Sequence, residues 1–250
     1  MQVSYYIATI KDWMIRSLIE RYLRARELFL RYSRNFHSGT LMPFENIMEI
    51  SDALFQIKED NYLIFRRLLD PKRRTFEDAP KLTPTEAEIR FMNNVGLLFH
   101  KVMVARELKY VLEHYPARTE DYDETLASLE YHLQRIEELF EEGLEIIREM
   151  IANYRDNAVL LMFFVENRER IEEIFGLPLA EFLKPMVNGS TEHEAALRVA
   201  EYYLESGWLE RAKRLLAELE EQGLSADKLP PRIVQKLKAL EEQFAEGEAR

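Results

Sequence analysis

One stretch decides the fold class: YDETLASLEYHLQRIEELFEEGLEIIREMIANY, residues 122–154. Apolar residues recur in it at alternating steps of four and three, which places them along one side of an α-helix. The positions are Tyr122, Leu126, Leu129, Leu133, Ile136, Phe140, Gly143, Ile147, Met150 and Tyr154. A seam of this period, sustained over more than four heptads, favours packing against other long helices at small crossing angles.

Three earlier segments have the same rhythm and predict long amphipathic helices. Their apolar positions run from Ile15 to Phe36, from Ile47 to Leu68 and from Phe91 to Leu112. The connections at residues 37–43 and 115–119 are short, so the helices that they join should be antiparallel neighbours. Residues 1–156 are therefore predicted to form an up-down-up-down bundle of four long helices.

Two capping signatures mark where helices should begin. Thr83 is the expected N-cap of the third helix, with Pro84 in the first turn and Glu86 as the capping-box acid. Thr191 and Glu194 form a second capping box further along the chain.

After residue 156 the elements become shorter. Residues 158–175 predict one helix whose first half is apolar on every side and therefore buried. Three more helices are expected, at residues 192–205, 208–222 and 232–244. Residues 157–250 are predicted to form a smaller set of helical hairpins packed on the bundle, so the whole chain is expected to be all-α.

Residues 193–224 resemble a single tetratricopeptide repeat. With Gly207 at the turn between two helices, Ala200 and Tyr203 fall on the first helix, and Ala212 and Leu216 on the second, at the spacing of that motif. Small residues at the two alanine positions would let antiparallel helices approach closely, while the larger side chains fill the remaining space.

The resemblance is limited to one repeat. Ala196 stands where the family often has Trp, and Leu224 where it usually has Pro. An ordinary helical hairpin that meets the same packing demands is the alternative. Members of the family commonly bind peptides or partner proteins in a concave groove, so the resemblance implies a partner-binding surface, for which Tyr203 and Trp208 are the candidate residues.

The formal net charge of −11 is unevenly distributed. Residues 1–80 carry a net charge of +2, residues 81–187 of −9 and residues 188–250 of −4. A basic cluster at the end of the second helix and in the loop after it is a second candidate partner-binding site, formed by Arg66, Arg67, Lys72, Arg73 and Arg74. These side chains could bind an acidic protein segment or a phosphate, or pair with the acidic fourth helix. Nucleic acid is the least favoured partner, given the overall charge.

Three residues within the bundle suggest a ligand pocket as an alternative site. His100 lies among apolar neighbours and is expected to be buried, either hydrogen-bonded to a carbonyl or to Asn61, or serving as a haem or metal ligand. Gly143 falls on the inner seam of the fourth helix, where it costs about 1 kcal/mol relative to Ala. A bulky neighbour, such as Trp13, Phe65 or Phe99, or a small cavity would explain that glycine.

Several chemistries are missing from the sequence. With no cysteine, the chain has no disulfide, thiolate zinc site or cysteine nucleophile. It contains no Glu-x-x-His spacing of a di-iron bundle, no Gly-rich phosphate loop and no nucleophile elbow. The prediction is therefore a protein without a cofactor or metal, and without catalytic residues.

The remaining expectations concern location and function. Residues 1–10 have no basic head followed by an apolar stretch, and no apolar run approaches the ~20 residues of a membrane span. A cytoplasmic protein with no membrane partner is predicted. The leading functional hypothesis is a non-enzymatic scaffold or adaptor that binds another protein through its helical-hairpin surface. The alternative is a small-molecule-binding or enzymatic bundle with a site near His100, and a third hypothesis is self-association through the apolar seams.

Overall fold

A computed structural model of the 250-residue chain describes most of its residues. The backbone is described at residues 2–36, 44–68, 84–115, 121–155, 157–187, 192–221, 223–225 and 229–248, and the side chains in those ranges except at 2–10, 34–36, 60–68, 192 and 245–248. Within this part of the chain, helices are the regular elements and strands do not occur, so the predicted all-α class is confirmed.

Ten helices are formed by the described residues. They are α1 (Gln2–Phe36), α2 (Phe44–Leu68), α3 (Glu86–His114), α4 (Tyr122–Ile151), α5 (Ala158–Glu166), α6 (Arg168–Phe175), α7 (Leu179–Leu183), α8 (Glu192–Glu205), α9 (Leu209–Glu221) and α10 (Pro231–Glu248). None of these described helices is long and apolar enough to cross a membrane. The chain divides into two compact units, Met1–Met150 and Ile151–Arg250.

The first unit contains the four long helices α1 to α4. Helix α2 contacts both α1 and α3. Phe44 lies against Tyr110 and Phe55 against Phe99, so α2 and α3 run in opposite directions. The core between the helices is formed by the apolar seams, including Ile15, Leu18, Ile50, Leu54, Phe91, Leu98, Val102, Leu133, Ile136 and Phe140, all of which are buried.

The start of α3 differs from the prediction by two residues. The N-cap is Thr85, whose side chain accepts a hydrogen bond from the Glu88 backbone N–H at 3.2 Å, while the Glu88 carboxylate accepts one from the Thr85 N–H at 3.0 Å. Pro84 therefore precedes the cap rather than following it. Glu88, which is 1 % exposed, also pairs with Lys11 of α1 at 3.2 Å, so the cap is anchored in the first unit. Thr83 lies outside the described residues.

The second unit begins with an apolar helix that its neighbours enclose. The six residues from Val159 to Phe164 in α5 are all buried, as expected. The predicted single helix 158–175 is interrupted at Asn167, whose Nδ2 and backbone N–H both donate to the Phe163 carbonyl. An asparagine side chain that bonds its own helix competes with the backbone ladder, so the chain breaks into α5 and α6 at this point.

Helix α8 is the element around which the rest of the second unit is arranged. It contacts α5, α7, α9 and α10, and its small residues Ala195, Ala196 and Ala200 are buried in these contacts. Between α8 and α9 the chain turns at Gly207, whose φ of +74° lies in the left-handed region that glycine adopts without strain. The predicted second capping residue, Thr191, lies outside the described residues.

Candidate functional site

A groove on the second unit lies between the start of α9 and the end of α10. Its volume is about 1010 Å³. It is lined by Gly207, Trp208, Leu209, Glu210, Arg211, Lys213, Glu241 and Phe244. We call this surface the Trp208 groove. It combines the aromatic side chains of Trp208 and Phe244 with two cations, Arg211 and Lys213, and two carboxylates, Glu210 and Glu241.

The aromatic walls of the groove are only partly covered. Trp208 is 39 % exposed and Phe244 is 51 % exposed. The Trp208 ring is held from behind by Tyr203, with ring centroids 5.9 Å apart, and the Arg211 guanidinium lies 5.0 Å from the indole centroid. A cation over an aromatic face is attracted by the ring quadrupole, so this stack fixes the orientation of both side chains.

An ion pair closes one side of the groove. Lys213 of α9 bonds Glu241 of α10 at 2.9 Å, and that hydrogen bond raises the pKa of Lys213 above its ordinary value. Both side chains are more than a third exposed, so the pair contributes little to stability. The pair links α9 to α10 across one side of the groove.

A second ion network holds α10 against α8. Glu201, whose side chain is 13 % exposed, accepts from Arg232 at 3.1 Å and from Lys236 at 3.5 Å, and Lys236 also bonds Glu205 at 2.5 Å. Since residues 232 and 236 follow 201 and 205 in the same order, α10 runs parallel to α8. This orientation is what carries Phe244, at the far end of α10, to Trp208.

A smaller pocket lies on the other side of Arg211. Its volume is about 270 Å³, and it is lined by Val165, Glu166, Tyr203, Arg211, Arg214, Leu215 and Glu218. The Tyr203 hydroxyl donates to the Glu166 carboxylate, and burial together with this bond raises the pKa of Tyr203 well above its ordinary value. Arg211 lies 3.9 Å from the same carboxylate, so it borders both pockets.

The structure separates the predicted partner-binding residues. Trp208 lies in the groove and is exposed, whereas Tyr203 is 3 % exposed and supports Trp208 from within the unit. The backbone of Arg66 and Arg67 belongs to α2, but their side chains lie outside the described residues. The remaining basic candidates, Lys72, Arg73 and Arg74, lie wholly outside them.

The ligand pocket predicted around Gly143 is filled by a side chain of the same unit. A Cβ at Gly143 would coincide with the Tyr22 ring and hydroxyl, and would lie 2.8 Å from Asn94 Oδ1. The bulky neighbour is therefore Tyr22 of α1, and not Trp13, Phe65 or Phe99. The prediction failed because Tyr22 lies far from Gly143 in sequence and meets it only when α1 packs on α4.

Tyr22 closes a buried hydrogen-bond network beside Gly143. Its hydroxyl donates to Asn94 Oδ1 at 2.9 Å, and Asn94 Nδ2 donates to the Leu139 carbonyl at 2.8 Å. Burial raises the pKa of Tyr22 far above its ordinary value, so the phenol stays protonated. The network joins α1, α3 and α4 at one level and leaves no room for a ligand there.

His100, the second residue of that predicted pocket, is exposed on α3. The prediction that it is buried is wrong, because Leu98 faces the core, and a residue two positions later on a helix points to the opposite side. Asn61 belongs to α2, and its side chain lies outside the described residues. His100 and Gly143 therefore do not form a common site.

Phe244, Lys213, Glu241 and Arg211 were not among the sequence candidates. The sequence contains a signal for two of them, Arg211 and Phe244. Arg211 follows Trp208 by three positions, the spacing at which side chains on adjacent helical turns meet. Phe244 ends a stripe of Ile233, Leu237 and Leu240 on α10, of which Ile233 is fully buried, Leu237 and Leu240 are half-buried and Phe244 is exposed.

Metal binding and similarity to known proteins do not define the site further. Within the described residues, no three His, Asp or Glu side chains are grouped so that they could hold a metal ion. The chain matches no protein-family model, and no curated protein or solved structure compared with it is significantly similar. The function must therefore be argued from the groove itself.

Proposed function

We propose that this chain is a non-enzymatic interaction protein whose second unit binds a short acidic segment of a partner protein in the Trp208 groove. The observation that carries the proposal is the pairing of two half-exposed aromatic side chains, Trp208 and Phe244, in a groove edged by Arg211 and Lys213. Tryptophan and arginine are the residue types that most often dominate binding energy at protein interfaces.

The aromatic pair supports an apolar anchor on the partner segment. A Trp side chain presents roughly 250 Å² of surface, so the exposed two-fifths of Trp208 is about 100 Å². At about 25 cal/mol per Å², covering it would contribute on the order of 2.5 kcal/mol, and Phe244 would add a similar amount. A single large apolar side chain inserted between the two rings would gain most of this.

The charges of α9 support acidic residues beside that anchor. Helices favour acids in the first turn and bases in the last. In α9 the first turn carries Glu210 and Arg211, the second carries Lys213 and Arg214, and the last carries Glu220 and Glu221. Apart from Glu210, this order opposes the helix dipole. It does place cations beside a positive helix end, next to the groove, where a carboxylate of the partner would be attracted.

The packing of the second unit supports the repeat-like interpretation. Ala200 and Ala212 are fully buried, as are nearly all of Tyr203 and Leu216, which is what the resemblance implies for the hairpin of α8 and α9. Helix α10 then lies parallel to α8, where a following repeat would begin. We also propose that the four long helices of the first unit form the up-down-up-down bundle that their opposite directions suggest.

The proposal can be tested with synthetic peptides and the full chain. The two tryptophans are Trp13 and Trp208, so in a Trp13→Phe variant the intrinsic fluorescence reports the groove alone. Three matched peptides are titrated: an apolar anchor flanked by acids, the same anchor flanked by lysines, and the acidic peptide with its anchor replaced by alanine. We expect a saturable spectral shift with the first peptide, and at least about tenfold weaker binding of the other two.

Variants of the groove separate specific binding from general attraction. Arg211→Ala and Phe244→Ala should each weaken binding of the acidic peptide, since one removes a cation and the other an aromatic wall. Arg24→Ala, which removes an exposed arginine from α1 of the first unit, is the matched control and should bind normally. Equal binding of the acidic and basic peptides, or no effect of both groove substitutions, would contradict the proposal.

A further inference from the structure

The solvent-facing side of α3 carries a stripe of apolar and neutral residues, which is flanked by the charged residues Glu86, Arg90 and Lys101. The positions that share this side are Ile89, Asn93, Gly96, Leu97, His100, Val104, Glu107 and Val111, which we call the outer face of α3. Ile89 is 48 % exposed, Leu97 52 % and Val111 38 %. The one charged residue of this outer face, Glu107, pairs with its own neighbour Arg106 at 2.8 Å.

The outer side of α4 in the same unit is different. Its exposed positions include Asp123, Glu124, Glu130, Glu138, Glu141, Glu142, Glu145 and Glu149. Such a surface is hydrated and repels another copy of a chain whose net charge is −11. The outer face of α3 lacks this repulsion, so two copies can approach through it without bringing acids together at the centre of the contact.

Gly96 has no explanation within the part of the chain that the structure describes. A glycine inside a helix costs about 1 kcal/mol relative to alanine. A Cβ at Gly96 would meet nothing within 4 Å, so packing inside the described structure does not require the glycine. A helix from outside could use it, because the distance between two packed helices depends on the side chains at their contact.

We propose that the outer face of α3 is the surface through which two copies of this chain form an antiparallel dimer, with a two-fold axis passing between Gly96 and Leu97. Such an axis brings Gly96 opposite Gly96 of the second copy, where the backbones can approach closely. Leu97 meets Leu97 of the second copy beside them. An isologous contact of this kind uses the same residues on both copies, so it closes at two chains.

The polar residues of the face agree with this symmetry. Asn93 and His100 lie equally far on either side of the proposed axis, so Asn93 of each copy faces His100 of the other. An amide has both donors and an acceptor, and a neutral imidazole has one of each, so the pair can hydrogen-bond in either tautomer. A partner recognised by charge would gain nothing from this face, which argues for a second copy over an acidic or basic protein.

The available area fits a reversible dimer. The outer face from Ile89 to Val111 is about 33 Å long at 1.5 Å per residue, and a helix is about 10–12 Å wide. Phe55 of α2, 46 % exposed, and Tyr131 of α4, 60 % exposed, border α3 through Phe99 and Lys101 and widen the patch. With these flanks each copy offers roughly 600 Å², below the roughly 800 Å² per partner of a standard interface, and we expect a weak dimer with a dissociation constant in the micromolar range or above.

Sedimentation of the full chain over a range of concentrations measures the association. We expect a monomer–dimer equilibrium for the natural sequence and at least about tenfold weaker dimerisation for Leu97→Glu, which places two carboxylates at the axis. Ala217→Glu adds the same charge to an exposed position of α9 and should dimerise normally. A chain that stays monomeric throughout, or a dimer that Leu97→Glu leaves intact, would overturn the proposal.

Engineered cysteines test the register, since the natural chain contains none. A cysteine beside a two-fold axis lies close to the same cysteine of the second chain and can form a disulfide with it. Gly96→Cys should therefore cross-link the two chains rapidly under mild oxidation. Glu107→Cys lies on the same face but about 16 Å from the axis along α3, and it should not cross-link. Cross-linking of Glu107→Cys in place of Gly96→Cys would show that this axis is wrong.

Discussion

Two glycines lie in the middle of long helices of the same unit, and they have opposite surroundings. Gly143 of α4 faces the core, where the Tyr22 side chain occupies the space that a Cβ would need. Gly96 of α3 faces solvent, and no atom in the described part of the chain lies within 4 Å of a Cβ built there. Each lowers the helix propensity by a similar amount. The first glycine is therefore explained by packing within the fold, whereas packing among the described residues does not explain the second.

The same substitution at the two positions should have opposite effects on stability. Gly143→Ala places a methyl group on the Tyr22 ring and forces Tyr22 and Asn94 apart, so we expect the unfolding free energy to fall by about 3 kcal/mol. The measurement is urea unfolding in a Trp208→Phe background, where Trp13 alone reports the first unit. An unfolding midpoint at or above that of the background protein would mean that Tyr22 can move aside at no cost.

A second substitution measures what the hydroxyl of Tyr22 contributes to stability, apart from the packing of its ring. Tyr22→Phe keeps the aromatic packing against Phe91 and Phe140 but leaves Asn94 Oδ1 without its buried donor. We expect a loss of about 1–2 kcal/mol in the same unfolding assay. Tyr122→Phe, a partly exposed tyrosine at the start of α4, is the control and should change little. If Tyr22→Phe lowers the unfolding free energy as much as Gly143→Ala does, the loss in both variants comes from the hydrogen bond of the hydroxyl and not from steric overlap.

Gly96→Ala should stabilise the isolated chain. Because a Cβ at this position meets no atom within 4 Å, the expected gain is the helix propensity alone, about 0.5–1 kcal/mol at concentrations where the chain is monomeric. The same variant should dimerise more weakly than the natural sequence, since the added methyl groups would separate the backbones at the axis. A variant that is less stable as a monomer would show that Gly96 has a role within the chain.

The smallest expected effect is a pH dependence of stability that arises from His132 of α4. His132 of α4 has a pKa below its ordinary value near 6.5, because of burial first and then of the nearby charges of Lys101 and His100. The unfolded state therefore binds a proton more readily, and the stability that His132 contributes is present above pH ~6.5 and decreases as the pH falls below it.

This dependence can be isolated by comparing variants. We expect the stability difference between the natural sequence and His132→Gln to change in favour of the variant between pH 8 and pH 5.5, as followed by urea unfolding. Ser128→Ala, which removes a half-buried uncharged side chain from α4, should not change the pH dependence of stability. A pH-independent difference for His132→Gln would mean that His132 titrates as it does in the unfolded chain.

The helices could be predicted from the sequence because apolar periodicity and helix-ending residues are properties of neighbouring positions. Helix α8 spans the residues 192–205 that the sequence predicts, since a periodic apolar stripe ends at Gly207. The predicted helix boundaries are wrong at Thr85 and Asn167, where a side chain hydrogen-bonds the backbone a few residues away. The apolar pattern is the same whether or not such a bond forms. Periodicity therefore does not predict which residue caps or interrupts a helix.

Only part of the candidate site could be predicted from the sequence. Trp208 stands out in the sequence as a large aromatic residue beside a turn, but Phe244 and Glu241 meet it only because α10 lies parallel to α8. His100 was misplaced because α3 is apolar on both sides, and an apolar neighbourhood does not tell which side faces the core.

From the sequence alone follow the all-helical class, the four long apolar seams, the turn at Gly207 and the absence of cysteine chemistry, because each depends on the order of neighbouring residues. Only the tertiary structure decided that Tyr22 fills the space at Gly143, that the outer face of α3 is apolar and exposed, and that Trp208 and Phe244 form one groove. These features depend on which helix faces lie against each other. That choice is made by long-range packing, which local periodicity does not encode.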